Sequence, residues 1–140
     1  MKMKIQTNFY TITSYPDLLS IETFFTWDER TVQKHIDDVK SIVVQYYQDK
    51  SWALLSDRSS WQLSTPEAEA LFTETALSAL NDTLTHIAIV VGESEIKKWQ
   101  IAKMINTFGK YETEFFKDTN EAESWLASFG YHMTSLDYEG

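Results

Sequence analysis

The chain has 140 residues, 21 acidic and 12 basic, for a formal net charge of −9, and contains no cysteine, two prolines and four glycines. That length suits one domain with a substantial core, and zero cysteine excludes disulfides, thiolate metal sites and thiol nucleophiles. An acidic chain is a poor binder of nucleic acid and anionic membrane, while 43% hydrophobic and 14% aromatic content excludes disorder.

The first residues, Met1-Lys2-Met3-Lys4, are basic, but Gln6, Thr7 and Asn8 interrupt before any apolar run forms. No stretch approaches the roughly 20 apolar residues of a membrane span. The expectation is a cytoplasmic protein without membrane insertion, one domain over 1–140 whose residues 131–140 form an irregular tail. Residues 5–13 carry β-favouring Ile5, Phe9, Tyr10, Thr11 and Ile12 and read as the first strand. Tyr15-Pro16-Asp17 reads as a turn and residues 18–23 as the returning strand of a hairpin. Thr26 with Glu29 three residues on forms a capping-box pattern, and Val32, Ile36, Val39 and Val43 then share one helical face. Residues 51–56 hold Trp52-Ala53-Leu54-Leu55, a run suited to a strand buried on both faces.

The second helix starts at Thr65, with Pro66 in the first helical position, or at Ser64 paired with Glu67 in a capping box. It carries Ala68, Leu71, Phe72, Ala76, Ala79 and Leu80. Residues 84–91 (LTHIAIVV) read as the clearest buried strand, ended by Gly92. A third helix is predicted over 94–108, stopped by Gly109, then a strand over 111–116 and a helix over 119–129, stopped by Gly130. The order β-β-α-β-α-β-α-β-α predicts an α/β fold: a mainly parallel five-stranded sheet with one antiparallel strand.

The end of the chain runs Phe115-Phe116, an acidic turn at Asp118, Glu121-Ala122, then Trp125-Leu126. With His86-Ile87-Ala88-Ile89-Val90 as central strand and Trp52-Ala53-Leu54-Leu55-Ser56-Asp57 before it, this resembles the SpoIIAA-like group of the STAS superfamily, which includes the anti-sigma-factor antagonists. The resemblance spans about residues 9–130 and implies a STAS-like fold and a regulatory, protein-binding role. The antagonists carry a phosphorylatable serine in an Asp-Ser-Ser-Gly-like turn before the second helix. This chain has Asp57-Arg58-Ser59-Ser60-Trp61 and no glycine there, so the resemblance implies the fold and not the phospho-switch.

Asp57, Arg58, Ser59, Ser60 and Trp61 read as a loop at a strand's carboxyl end, where ligands of open α/β sheets sit. They can bind a ligand or partner, or Asp57 can simply engage nearby backbone N–H groups and Arg58. Ser64 and Thr65 are possible phosphoacceptors at a helix N-terminus, though ordinary capping explains them. His35, His86 and His132 lie in different elements without metal-ligand spacing, and His35 with Asp38 reads as a surface pair. The neighbouring acids Asp37-Asp38, Glu67/Glu69 and Glu121/Glu123 diverge around their helices and form no acid–base pair. No Gly-rich phosphate loop or nucleophile elbow is present. No catalytic residue, metal or cofactor is therefore expected.

On the third helix, Ile101, Met104, Ile105 and Phe108 share a face. Ile96 and Trp99 then fall opposite, flanked by Gln100 and Lys103, either as a contact patch or tucked beneath a neighbouring loop. Residues 92–110 carry four lysines against two acids, whereas residues 65–82 carry four acids and no Lys or Arg. The expected function is a non-enzymatic interaction module binding a protein partner or its own copy. The alternative is a small-ligand (lipid or nucleotide) binding domain with a pocket at the strand carboxyl ends.

Overall fold

Alternating apolar side chains on the parallel strands set the architecture of this computed structural model, which describes residues 3–63, 65–75, 80–104 and 111–133. Six strands, β1 (Met3–Gln6), β2 (Tyr10–Ser14), β3 (Leu18–Trp27), β4 (Trp52–Leu63), β5 (Leu84–Val90) and β6 (Glu112–Phe116), form one sheet in sequential order. β2 is antiparallel to both β1 and β3, and β3 to β6 are mutually parallel. Only β2 therefore runs against the common direction. The helices are α1 (Glu29–Tyr46), α2 (Pro66–Thr75), α3 (Glu95–Met104) and α4 (Thr119–Ala127).

Successive side chains on a strand face opposite ways. Leu19 and Ile21, Trp52 and Leu54, Ile87 and Ile89 pack with Val32, Ile36 and Val39 of α1, Phe72 of α2 and Ile101 of α3. Leu18, Ala53, Leu55, Ala88 and Val90 pack on the other face with Ala122 and Leu126 of α4. Because the strand order never reverses, right-handed crossovers keep α1, α2 and α3 on one side. Among the described residues no strand follows α4, and it packs on the opposite face. At about 1.5–3 kcal/mol for each buried aliphatic side chain, burial of Val32, Ile36, Val39, Ile42 and Val43 holds α1 in place.

Six strands replace the five expected because residues 5–13 are not one strand. Thr7 Oγ1 accepts hydrogen bonds from the N–H groups of Phe9 and Tyr10, and Thr7 N donates to the Tyr10 carbonyl. This side-chain-closed turn folds the segment into a hairpin without glycine. α1 is capped by Asp28, whose carboxylate accepts from Thr31 N, rather than by Thr26. Thr26 belongs to β3 and accepts from the Gln62 side chain. The Tyr15–Asp17 turn, the doubly buried run at 52–55 and the strand from residue 84 stand as expected. Ser64, the end of the predicted third helix and the tail beyond 133 lie outside the described residues. Among the described residues, no helix is long and apolar enough to cross a membrane.

Candidate functional site

The segment Asp57–Trp61, expected as a loop, is the second half of β4. Its pairing with β3 continues through Phe24–Ser60 and Phe25–Trp61 to Trp27–Leu63, with a register shift after Glu22–Asp57. β4 advances one residue further than β3 there, which is a bulge. Asp57 builds it: Oδ1 accepts from Ser59 N at 3.0 Å and Ser59 Oγ at 2.7 Å, and Thr23 Oγ1 donates to the Asp57 carbonyl. Lys97 of α3 donates its Nζ to the carbonyls of Arg58 and Ser59 at 3.0 and 2.8 Å. Desolvation lowers the Lys97 pKa, partly offset by the Asp57 charge. Just past the bulge, opposite Trp61, Phe25 takes a left-handed φ of 63°.

Ser56 and Arg58 follow Trp52 and Leu54 toward α1 and α2 by ordinary alternation, and the bulge shifts that alternation by one so that Trp61 joins them. All three are buried, while Ser59 and Ser60 are exposed. The Arg58 guanidinium lies 4.4 Å from the Trp61 ring centre and 5.0 Å from that of Phe72, within cation–π range. Burial pulls its pKa down to about 9, with the Asp57 charge opposing. Arg58 stays charged at neutral pH, yet its Nη1 has no hydrogen-bond partner.

His35 joins this region and corrects the expected surface pairing with Asp38. It is 2% exposed, its ring 4.8 Å from both the Tyr10 and the Trp27 rings. Asp38 instead accepts from the Tyr10 hydroxyl and from Lys34. Desolvation, followed by the charge of Arg58, holds the His35 pKa well below 6.5, so the imidazole is neutral at pH 7. Its Nδ1, Trp61 Nε1 and Ser56 Oγ also lack hydrogen-bond partners. Sequence reasoning missed this group, although one signal was present: His35 stands three residues after Val32, on the apolar stripe itself.

α3 presents the second candidate set. Ile96 is 71% and Trp99 62% exposed, so neither is tucked beneath a loop. Gln100 and Lys98 are exposed beside them; the Lys103 side chain lies outside the described residues. The two sets adjoin, because Lys97 reaches the β4 bulge and Gly92, with φ +71°, approaches Ser59 closely enough that a Cβ there would stand 3.5 Å from Ser59 Cβ. Thr65 caps α2, its hydroxyl accepting from Ala68 N.

β5 and β6 are neighbours whose following helices leave to opposite faces, the arrangement that opens a crevice at strand carboxyl ends. A cleft of about 290 Å³ lies there, lined in part by Lys98, Phe115, Lys117, Glu95 and Glu121. Trp61, expected to border such a pocket, does not line it. His86 sits at the sheet rim, stacked 4.0 Å from the Phe129 ring, with Nδ1 2.8 Å from Thr85 Oγ1. Among the described residues, no three His, Asp or Glu side chains gather as a metal site would require.

No family model matches the sequence, and no curated protein matches it significantly. Among solved structures, the chain is similar to the crystal structure of an uncharacterized protein of the DUF3478 family from Shewanella loihica PV-4, which has a SpoIIAA-like fold. The TM-score is 0.63 at 20% identity, covering 89% of this chain and 98% of that one. The fold is SpoIIAA-like, as the sequence resemblance implied.

Proposed function

We propose that this chain is a non-enzymatic, STAS-type interaction module that binds a protein partner through the outer face of α3. The observation that carries this reading is the exposed pair Ile96 and Trp99. Large apolar side chains exposed side by side cost solubility, and aromatic anchors dominate binding hot spots. The SpoIIAA-like fold, which serves protein interaction in the anti-sigma-factor antagonists, supports it. The lysines of residues 92–110 stand out on a chain of net charge −9, so the partner surface is acidic at its rim. A second copy offers the exposed acids Glu67 and Glu74 of α2. The double variant Ile96→Ser/Trp99→Ala should fold normally. Sedimentation of wild type and variant across concentration, with pull-down of candidate partners, tests the surface. Unchanged self-association and unchanged partner capture would remove α3 from the interface.

A second reading, a small-ligand carrier, is favoured by the cleft between the ends of β5 and β6. Its volume is near the lower end of ligand pockets, roughly 300 Å³, and Lys98 and Lys117 suit an acidic head group. Saturable lipid or nucleotide binding lost in Lys98→Gln/Lys117→Gln would support this reading over the first.

A further inference from the structure

We propose that the interior between α1, α2 and the second half of β4 is a binding site for a small oxyanion, a carboxylate or phosphate group, with Arg58 as its central ligand. A buried cation needs a counter-charge or a full set of acceptors, since desolvating an unpaired charge is costly. Arg58 is 7% exposed, and among the described residues no carboxylate forms an ion pair with it. Asp57, its neighbour in sequence, is engaged by Ser59 N and Ser59 Oγ. Trp61 and Phe72 flank the guanidinium, but ring faces accept no in-plane N–H, and Nη1 is left without an acceptor.

The surroundings carry further polar atoms of the kind an oxyanion uses. Trp61 Nε1 is only a donor, and the Ser56 hydroxyl and neutral His35 can each donate one proton. These atoms, like Arg58 Nη1, are buried without a partner. Such groups are rare one at a time; four in one layer of the fold, contributed by α1 and β4, mark a site rather than a packing defect. Of the described carboxylates, Asp57 acts on Arg58 electrostatically but forms no ion pair with it. An oxyanion would accept from Arg58 and Trp61 directly and draw on Ser56 or His35 for a further donor. The aromatic walls exclude water and strengthen each charge-assisted bond. The site lies behind the strand from the exposed Ser59 and Ser60, and does not depend on the α3 surface.

The test titrates the full chain with inorganic phosphate and, separately, with acetate, against chloride at matched ionic strength. Tryptophan fluorescence and thermal denaturation are the readouts. Saturable binding of at least one anion, with a fluorescence change and a raised Tm, is expected. Arg58→Met should weaken that binding at least about tenfold, the loss expected for a charge-assisted hydrogen bond. Trp61→Phe keeps an aromatic ring and removes the indole donor, so it should weaken binding several-fold, and it serves if Arg58→Met does not fold. Lys40→Gln, on the exposed side of α1, should bind as wild type does. A wild type that responds to neither anion beyond chloride overturns the proposal. Binding by the folded Arg58 and Trp61 variants equal to that of wild type overturns it as well.

Discussion

Replacing His35 with leucine should abolish one component of the acid sensitivity of this fold. The imidazole is 2% exposed among Tyr10, Trp27 and the β4 layer. The charged group facing it from β4 is Arg58, and its pKa lies well below 6.5. Asp38, on its own helix, is occupied by the Tyr10 hydroxyl and Lys34. In the unfolded chain the same imidazole titrates near its ordinary value. As pH falls through about 6.5, the unfolded state takes up a proton that the folded state refuses, so stability falls with pH. One proton changes stability by about 1.4 kcal/mol per pH unit once the unfolded group is charged. Between about pH 7.5 and about pH 5.5 the wild type should therefore lose about 1.4 kcal/mol more than His35→Leu. For a chain of this size that is a difference of ~3–5 °C in Tm. Near pH 7.5 the two should differ by no more than about 1 kcal/mol, because losing the ring contacts is offset by removing an unpartnered nitrogen. Urea unfolding followed by tryptophan fluorescence at a series of pH values measures both slopes. Identical slopes would mean that His35 is not held neutral in the fold, and would refute the burial argument.

Two further expectations concern stability alone. Tyr47 is fully buried, and its hydroxyl meets Ser14 Oγ at 3.0 Å, the Leu18 carbonyl at 3.0 Å and the Tyr15 carbonyl, tying the end of α1 to the β2–β3 turn. Tyr47→Phe removes the hydroxyl that joins them, while the Leu18 carbonyl keeps its bond from Tyr15 N, and should cost about 1–3 kcal/mol in urea unfolding. Burial also raises the Tyr47 pKa to about 12. The unfolded phenol ionises first, so the wild type should lose stability above about pH 10 while the phenylalanine variant is spared that part. Asp118 caps α4 through Glu121 N at 2.9 Å, and Asp118→Ala should cost ~1 kcal/mol. A loss below a few tenths would show that Leu126 and Ala122 hold α4 without its cap.

Much of the fold was legible because local rules and tertiary demands agreed. The run at 84–91 is apolar on both faces because the strand it forms is covered on both. The four-three-four spacing of Val32, Ile36, Val39 and Val43 became the buried stripe of α1. Thr65 before Pro66 became the start of α2, and Gly92 and Gly130 took the positive φ values, +71° and +95°, that end elements cheaply. The hairpin at 5–13 was hidden because a threonine side chain closes its turn without glycine or proline.

The candidate site was legible in composition but not in placement. Ile96 and Trp99 stayed outside because their helix buries Ile101, which helical geometry alone implied. Asp-Arg-Ser-Ser has no strand pattern, and it became strand because the long β3 offered it a ladder out to Trp27. The bulge then turned Trp61 inward beside Arg58, and His35 arrived from a helix more than twenty residues earlier. Where local pattern was strong, as along α1 and β5, element type and the apolar faces depended on neighbours within a few residues, so the sequence by itself determined them. Which polar side chains share a dry interior, and hence which are charged or unpartnered there, depends on pairing register and helix docking between distant segments, and only the tertiary structure decided it.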